Sequence, residues 1–135
     1  MSFSVAAVIR YKGKYLFQKR DNKINIFYPN FYGLFGGESN KNEKPKQVIK
    51  RELFEEINIK FNKIQHLITL KLESKIFNPK TASIFNRYIF ICVLPKNFKK
   101  NINLKEGQNY KFIDINQINK KKISPFDYAV TKYYD

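Results

Sequence analysis

The chain has 135 residues, 43% hydrophobic and 16% aromatic, enough to bury a core and too apolar for a disordered polymer. Its 26 Lys and Arg against 11 Asp and Glu give a formal charge of +15, which suits anionic partners such as phosphates, nucleotides or nucleic acid. No apolar run approaches the roughly 18–20 residues that cross a bilayer, so no membrane partner is expected.

Almost all the positive charge is lysine. Arginine, the better fork for phosphate, stands only at Arg10, Arg20, Arg51 and Arg87. The lysines are scattered, with short clusters at Lys99–Lys100 and Lys120–Lys122. A dedicated nucleic-acid binder would concentrate its cations on one stripe, so the charge permits nucleic acid without favouring it, and AT-rich codon usage would produce the same Lys, Asn and Ile excess. A single cysteine, Cys92, lies in an apolar run and cannot pair within the chain. It reads as a small core hydrophobe in a reducing compartment, which points to the cytoplasm.

In chain order, residues 3–10 read as a strand, because no basic segment precedes the apolar stretch as it would in a signal peptide. Lys12 and Gly13 make a hairpin turn into a second strand at residues 15–17. A polar loop covers residues 21–30, and residues 31–35 form a short aromatic strand running into Gly36 and Gly37. A helix is predicted over residues 45–57, with Pro45 in its first turn and Ile49, Leu53 and Ile57 recurring every four residues. Residues 64–72 and 83–94 read as longer strands joined by a turn at Asn78 and Pro79. Residues 96–105 form a basic loop, 110–113 a last strand, and Ser124 to Asp127 open a C-terminal helix with a capping-box pattern. No repeat or linker divides the chain, so residues 1–135 are expected to form one domain. Irregular interleaving of strands and helices indicates an α/β sandwich with a mixed sheet.

The chemistry is concentrated in residues 36–59. On the predicted helix Glu52 and Glu56 lie one turn apart and Glu55 beside them, next to the buried face of Ile49, Leu53 and Ile57. Three carboxylates on one face repel one another. A hard divalent cation with oxygen ligands is the natural counter-charge. Glu43 and Arg51 add an acid and a cation able to orient a carboxylate. A solvated acidic face is the alternative, and it is a poor use of few acids among many lysines.

The order Gly37, five residues, Glu43, seven residues, Arg51-Glu52, an aliphatic residue, one residue, Glu55-Glu56, two residues and an aliphatic residue resembles the Nudix box. At about 6% per residue type, six fixed matches arise by chance in such a chain with probability roughly 10⁻⁵. Residues 18–21, 32–37 and 106–108 also look like features of bacterial members. The resemblance implies an α/β/α sandwich with a mixed central sheet and a loop–helix–loop motif, and Mg²⁺-dependent (or Mn²⁺-dependent) hydrolysis of a nucleoside diphosphate linked to another group. The implied metal ligands are Glu52, Glu55, Glu56 and the carbonyl of Gly36. Glu52 or Glu106 would be the base, Arg51 would orient the acids, and Arg20 would contact substrate phosphate. Asp127 is a further candidate for substrate binding, although the helix cap explains it without any ligand and is the favoured reading. His66, alone in a strand, is expected to be structural. The partner implied is a small-molecule nucleotide, most naturally a nucleoside triphosphate or modified nucleotide, bound by a monomer or homodimer. The rival readings are a silent nucleotide-sensing domain, which would usually have lost the Arg-Glu or Glu-Glu pair, and an RNA-end pyrophosphohydrolase. The family's glycine near the helix end is Asn58 here. Asn is the non-glycine residue best able to take the left-handed conformation needed there.

Overall fold

The computed structural model describes residues 3–19, 30–40, 42–76, 80, 83–103, 109–117 and 122–135. The polar loop at 21–29, the turn at Asn78 and Pro79, and the candidates Arg20 and Glu106 lie outside the described residues.

Strand β1 (Ser4–Val8) organises the molecule. It pairs antiparallel with β5 (Phe35–Glu38) on one side and parallel with β7 (Ile84–Val93) on the other. The long β6 (Lys63–Glu73) adds antiparallel to β7, giving a mixed sheet in the order β5-β1-β7-β6. Residues of β1 alternate between two cores. Val5, Ala7 and Ile9 pack with Val48, Ile49, Leu53 and Ile57 of helix α1 (Pro45–Ile57), while Ala6 and Val8 pack with Val130 of helix α3 (Pro125–Tyr134). A strand covered on both faces must be apolar at every position, which is why it reads as an unbroken hydrophobic run. Full burial of the four aliphatic side chains on α1 is worth about 1.5–3 kcal/mol each, and this fixes the helix against the sheet. The expected α/β layering with a mixed sheet is therefore observed.

A second sheet is built around β3 (Lys14–Lys19), flanked by β2 (Arg10–Tyr11), β4 (Tyr32–Gly33) and β8 (Asn109–Ile113). Two stretches expected as single strands are each divided between the sheets. The chain changes sheet at Ile9, between β1 and β2, and again at Leu34, between β4 and β5. The β2–β3 turn has Lys12 at φ 51° and Gly13 at φ 77°, the two positive angles that match a tight hairpin to strand twist. The expected basic loop at 96–105 contains a short helix, α2 (Phe98–Asn101), because Phe98 is buried in the α1-side core. His66 sits on β6, bonded to Thr69 Oγ1 at 2.7 Å and facing Phe90, as a structural residue would. Cys92 is buried, and loss of solvation pushes its thiol up to about 12. Among the described residues, no helix is long and apolar enough to cross a membrane.

Helix α1 ends as its sequence requires. Asn58 is left-handed (φ 61°, ψ 34°), its N–H reaches the carbonyl of Phe54 at 3.0 Å, and its side-chain amide donates to the carbonyl of Asn101 at 3.0 Å. Asn58→Gly therefore exchanges one exposed hydrogen bond for easier backbone geometry, and its melting temperature should stay within a few degrees of the parent. Asn58→Val loses the bond and places a β-branched residue at positive φ, at a cost of about 1–2 kcal/mol or more. A pair of thermal melts in which Val is tolerated as well as Gly would disprove this account of the helix end.

Candidate active site

Arg51 is the hub of the acidic cluster. Its Nε and Nη2 hold Glu43 in a two-pronged bond at 2.8 and 2.9 Å. Its Nη1 donates to Glu52 Oε1 at 3.0 Å and Glu55 Oε2 at 3.2 Å, and Nη2 also reaches the carbonyl of Glu38 at 3.3 Å. The bonds from Arg51, with a further one from the Asn40 N–H, hold the Glu43 carboxyl below its ordinary range. In return Glu43 raises the guanidinium further above its own.

The three helix glutamates differ in depth. Glu55 is exposed, the Glu52 side chain is 15% accessible, and Glu56 is buried. Glu56 reaches across to the first sheet, where Oε1 accepts the Gly36 N–H at 3.2 Å, and its Oε2 accepts a long contact from Gln18 Nε2 at 3.5 Å. Gln18, part of the 18–21 stretch that resembles bacterial members, is not among the expected site residues. Glu52 lies directly against Gly37: a Cβ added there would stand 2.4 Å from the Glu52 carboxyl carbon and 2.5 and 2.6 Å from its oxygens. A Cβ on Gly36 would meet the Val5 carbonyl oxygen at 2.0 Å. The paired glycines thus let β5 lie flush against both its neighbour strand and the carboxylates of α1.

A family model for the NUDIX domain matches residues 1–134. The chain belongs to the Nudix family. It is accordingly a Nudix pyrophosphohydrolase, of a family that hydrolyses nucleoside diphosphate derivatives and generally uses divalent metal ions. Solved structures share the fold at low identity. A MutT NUDIX hydrolase from Burkholderia pseudomallei superposes with a TM-score of 0.77 at 14% identity, covering 96% of this chain and 95% of the other. The MutT protein from Methanosarcina mazei Go1 gives 0.76 at 19% identity, covering 98% and 91%. The dihydroneopterin triphosphate pyrophosphohydrolase of E. coli gives 0.72 at 18% identity, covering 98% and 93%. No curated protein matches the sequence significantly.

The donor set of this Nudix site suits a hard divalent cation: carboxylate oxygens of Glu52, Glu55 and Glu56 on one helix, with Glu56 bonded to the Gly36 N–H and Glu52 against Gly37. Among the described residues, however, no three acidic, histidine or cysteine side chains converge on one point. Arg51 holds Glu52 and Glu55, and Gly36 holds Glu56. The three candidate carboxylates share one helix, and drawing them together would mean taking two of them from Arg51.

Asp127 lies elsewhere, at the start of α3. It is buried and fully engaged: Oδ2 accepts the Leu34 N–H and the Ser124 hydroxyl, each at 2.9 Å, and Oδ1 is paired with Arg87 at 2.6 Å. The expected capping box is replaced, because the Ser124 hydroxyl donates to Asp127 rather than capping the helix with its side chain. Arg87, one of four arginines in a lysine-rich chain, is the sequence signal for this pair. Leu34, whose N–H donates to Asp127, marks the change of sheet just ahead of Gly36 and Gly37.

Three substitutions separate these roles. Gly37→Ala should keep the fold, since the crowded atoms end a flexible side chain, but should displace Glu52 and lower nucleotide turnover by about 10²-fold. Gly36→Ala should instead destabilise the protein by about 1–3 kcal/mol or more, because its Cβ meets backbone. Melts and turnover measured on both variants check the assignment. Asp127→Ala should cost about 3–5 kcal/mol in a denaturant melt by stranding Arg87 and the Leu34 N–H. An unchanged midpoint would return Asp127 to a purely ligand-binding role.

Proposed function

We propose that the enzyme is a Mg²⁺-dependent diphosphatase acting on a nucleoside triphosphate or modified nucleotide, with Mn²⁺ as a possible substitute. The observation that carries this reading is the glutamate cluster of α1 lying against the Gly36–Gly37 strand under the control of Arg51. Glu52, Glu55, Glu56 and the Gly36 carbonyl would hold the ion, which when bound polarises phosphoryl oxygens and lowers the pKa of a coordinated water.

In the proposed reaction a water oxygen bonds to phosphorus, the bridging P–O bond breaks, and the released phosphate carries away the negative charge. Glu52 would take the proton of that water, a role supported by its partial accessibility and its bond to Arg51. Glu106 is the alternative base, and Arg20 a contact to substrate phosphate. Glu56, buried beneath the Gly36 N–H, serves as a fixed ligand rather than a mobile base. The free, buried Cys92 is in keeping with the cytoplasmic location of this reading.

The test is a hydrolysis screen over nucleoside triphosphates, oxidised nucleotides, nucleotide sugars and dinucleoside polyphosphates, with Mg²⁺ and with excess EDTA. Turnover should vanish in EDTA and rise with alkaline pH. Glu55→Gln and Glu56→Gln should each lower it by orders of magnitude at saturating Mg²⁺ with the fold intact. Full activity in EDTA, or in either variant, would refute the reading.

A further inference from the structure

The fold gathers lysines that are distant in sequence into one surface track. It begins at Phe54 on α1, an aromatic ring 40% exposed, with the Lys60 ammonium 5.5 Å from its centroid. The track crosses the end of α1, where the Asn58 amide bonds the carbonyl of Asn101 and the Asn103 N–H bonds that of Ile57. These contacts seat α2, with exposed Lys99 and Lys100, beside the helix terminus. Beyond α2 lies Tyr11, which packs edge-on against Phe98 and carries the ammoniums of Lys12 and Lys99 at 5.3 and 5.5 Å from its ring. Both lysines approach the phenol closely enough to hold its pKa below the ordinary tyrosine value, Lys99 having the larger effect. Among the described residues, none of Lys12, Lys60, Lys99 and Lys100 is ion-paired with a carboxylate.

We propose that this track, running from Phe54 and Lys60 over α2 to Tyr11 and Lys12, binds a single-stranded nucleic acid outside the catalytic cluster. Cations spaced along a surface follow a phosphate backbone, and an exposed ring among them gives an unpaired base a face to stack on. A net charge of +15 makes the strand a better occupant than a second copy of the chain, which the same charge repels. A duplex offers no open base to Phe54, so the exposed ring favours an unpaired strand. The proposal is independent of the diphosphatase reading.

The test uses 12-nucleotide oligouridine and oligodeoxythymidine, each with a 5′-hydroxyl and a 3′-fluorophore, in EDTA. The probes then carry no diphosphate for the catalytic glutamates to hold. Fluorescence anisotropy of the full chain should show saturable binding that weakens steeply with salt. The RNA and DNA arms distinguish which strand is preferred, and binding of either supports the track. Lys12→Gln with Lys99→Gln should lower the slope of log K against log salt by about 0.7 per lysine. A control pair of equal charge change, Lys71→Gln with Lys75→Gln, should leave it nearly unchanged. Phe54→Ala should weaken binding about tenfold at constant charge. Thermal melts establish that each variant is folded. Absence of saturable binding near 50 mM salt, equal losses in the two lysine pairs, undiminished binding by Phe54→Ala, or equal competition by a duplex of the same length would each overturn the proposal.

Discussion

One guanidinium makes the acidic helix possible. Glu52 and Glu56 stand a turn apart on α1 with Glu55 beside them, an arrangement that is self-repelling in an isolated helix. Arg51 answers it with its fork of donors, two directed to Glu43, others shared by Glu52 and Glu55, and one reaching the Glu38 carbonyl. A lysine at this position has a single ammonium and no planar fork, and it could not hold the loop acid and the helix acids in fixed relation. Because Glu43 also accepts the Asn40 N–H, the same residue ties the loop before α1 to the helix itself.

Around that hub, packing assigns each carboxylate a different environment. The buried aliphatic face of α1 sets the helix against β1 and β5, and the side-chain-free surface of Gly36 and Gly37 lets the carboxylates approach the strand. Glu56 is enclosed and bonded to backbone, Glu52 rests on Gly37, and Glu55 faces solvent. Buried Asp127, paired with part-buried Arg87, steadies the start of the same strand from the opposite layer through the Leu34 N–H. Both helices thus converge mechanically on β5, one from each face of the sheet.

The distribution of charge follows from the same concentration of acids. Glu38, Glu43, Glu52, Glu55 and Glu56 are five of the eleven acidic residues, all within nineteen positions. Elsewhere few carboxylates remain to neutralise 26 cations, so lysines such as Lys60, Lys99 and Lys12 stand on the surface beside aromatic rings instead. An acidic cluster and a basic surface at the end of the same helix are two consequences of one uneven allocation.

The sequence by itself determined what depends on short-range spacing. The bounds of α1 and the left-handed Asn58 follow from helical periodicity and local backbone sterics, and the structure bears them out at residues 45–58. The Lys12–Gly13 hairpin was legible for the same reason. Tertiary structure decided everything that needs a distant partner. The changes of sheet at Ile9 and Leu34 are set by which strands compete for their hydrogen bonds, and both stretches look continuous in apolar pattern. Asp127 reads as a cap until Arg87 and Leu34 arrive beside it, forty and ninety-three positions away, because a buried carboxylate binds the strongest donors brought within reach. The lysines are dispersed along the chain and become a track only when α2 docks on the end of α1, since proximity in space is created by packing and not by order in the chain.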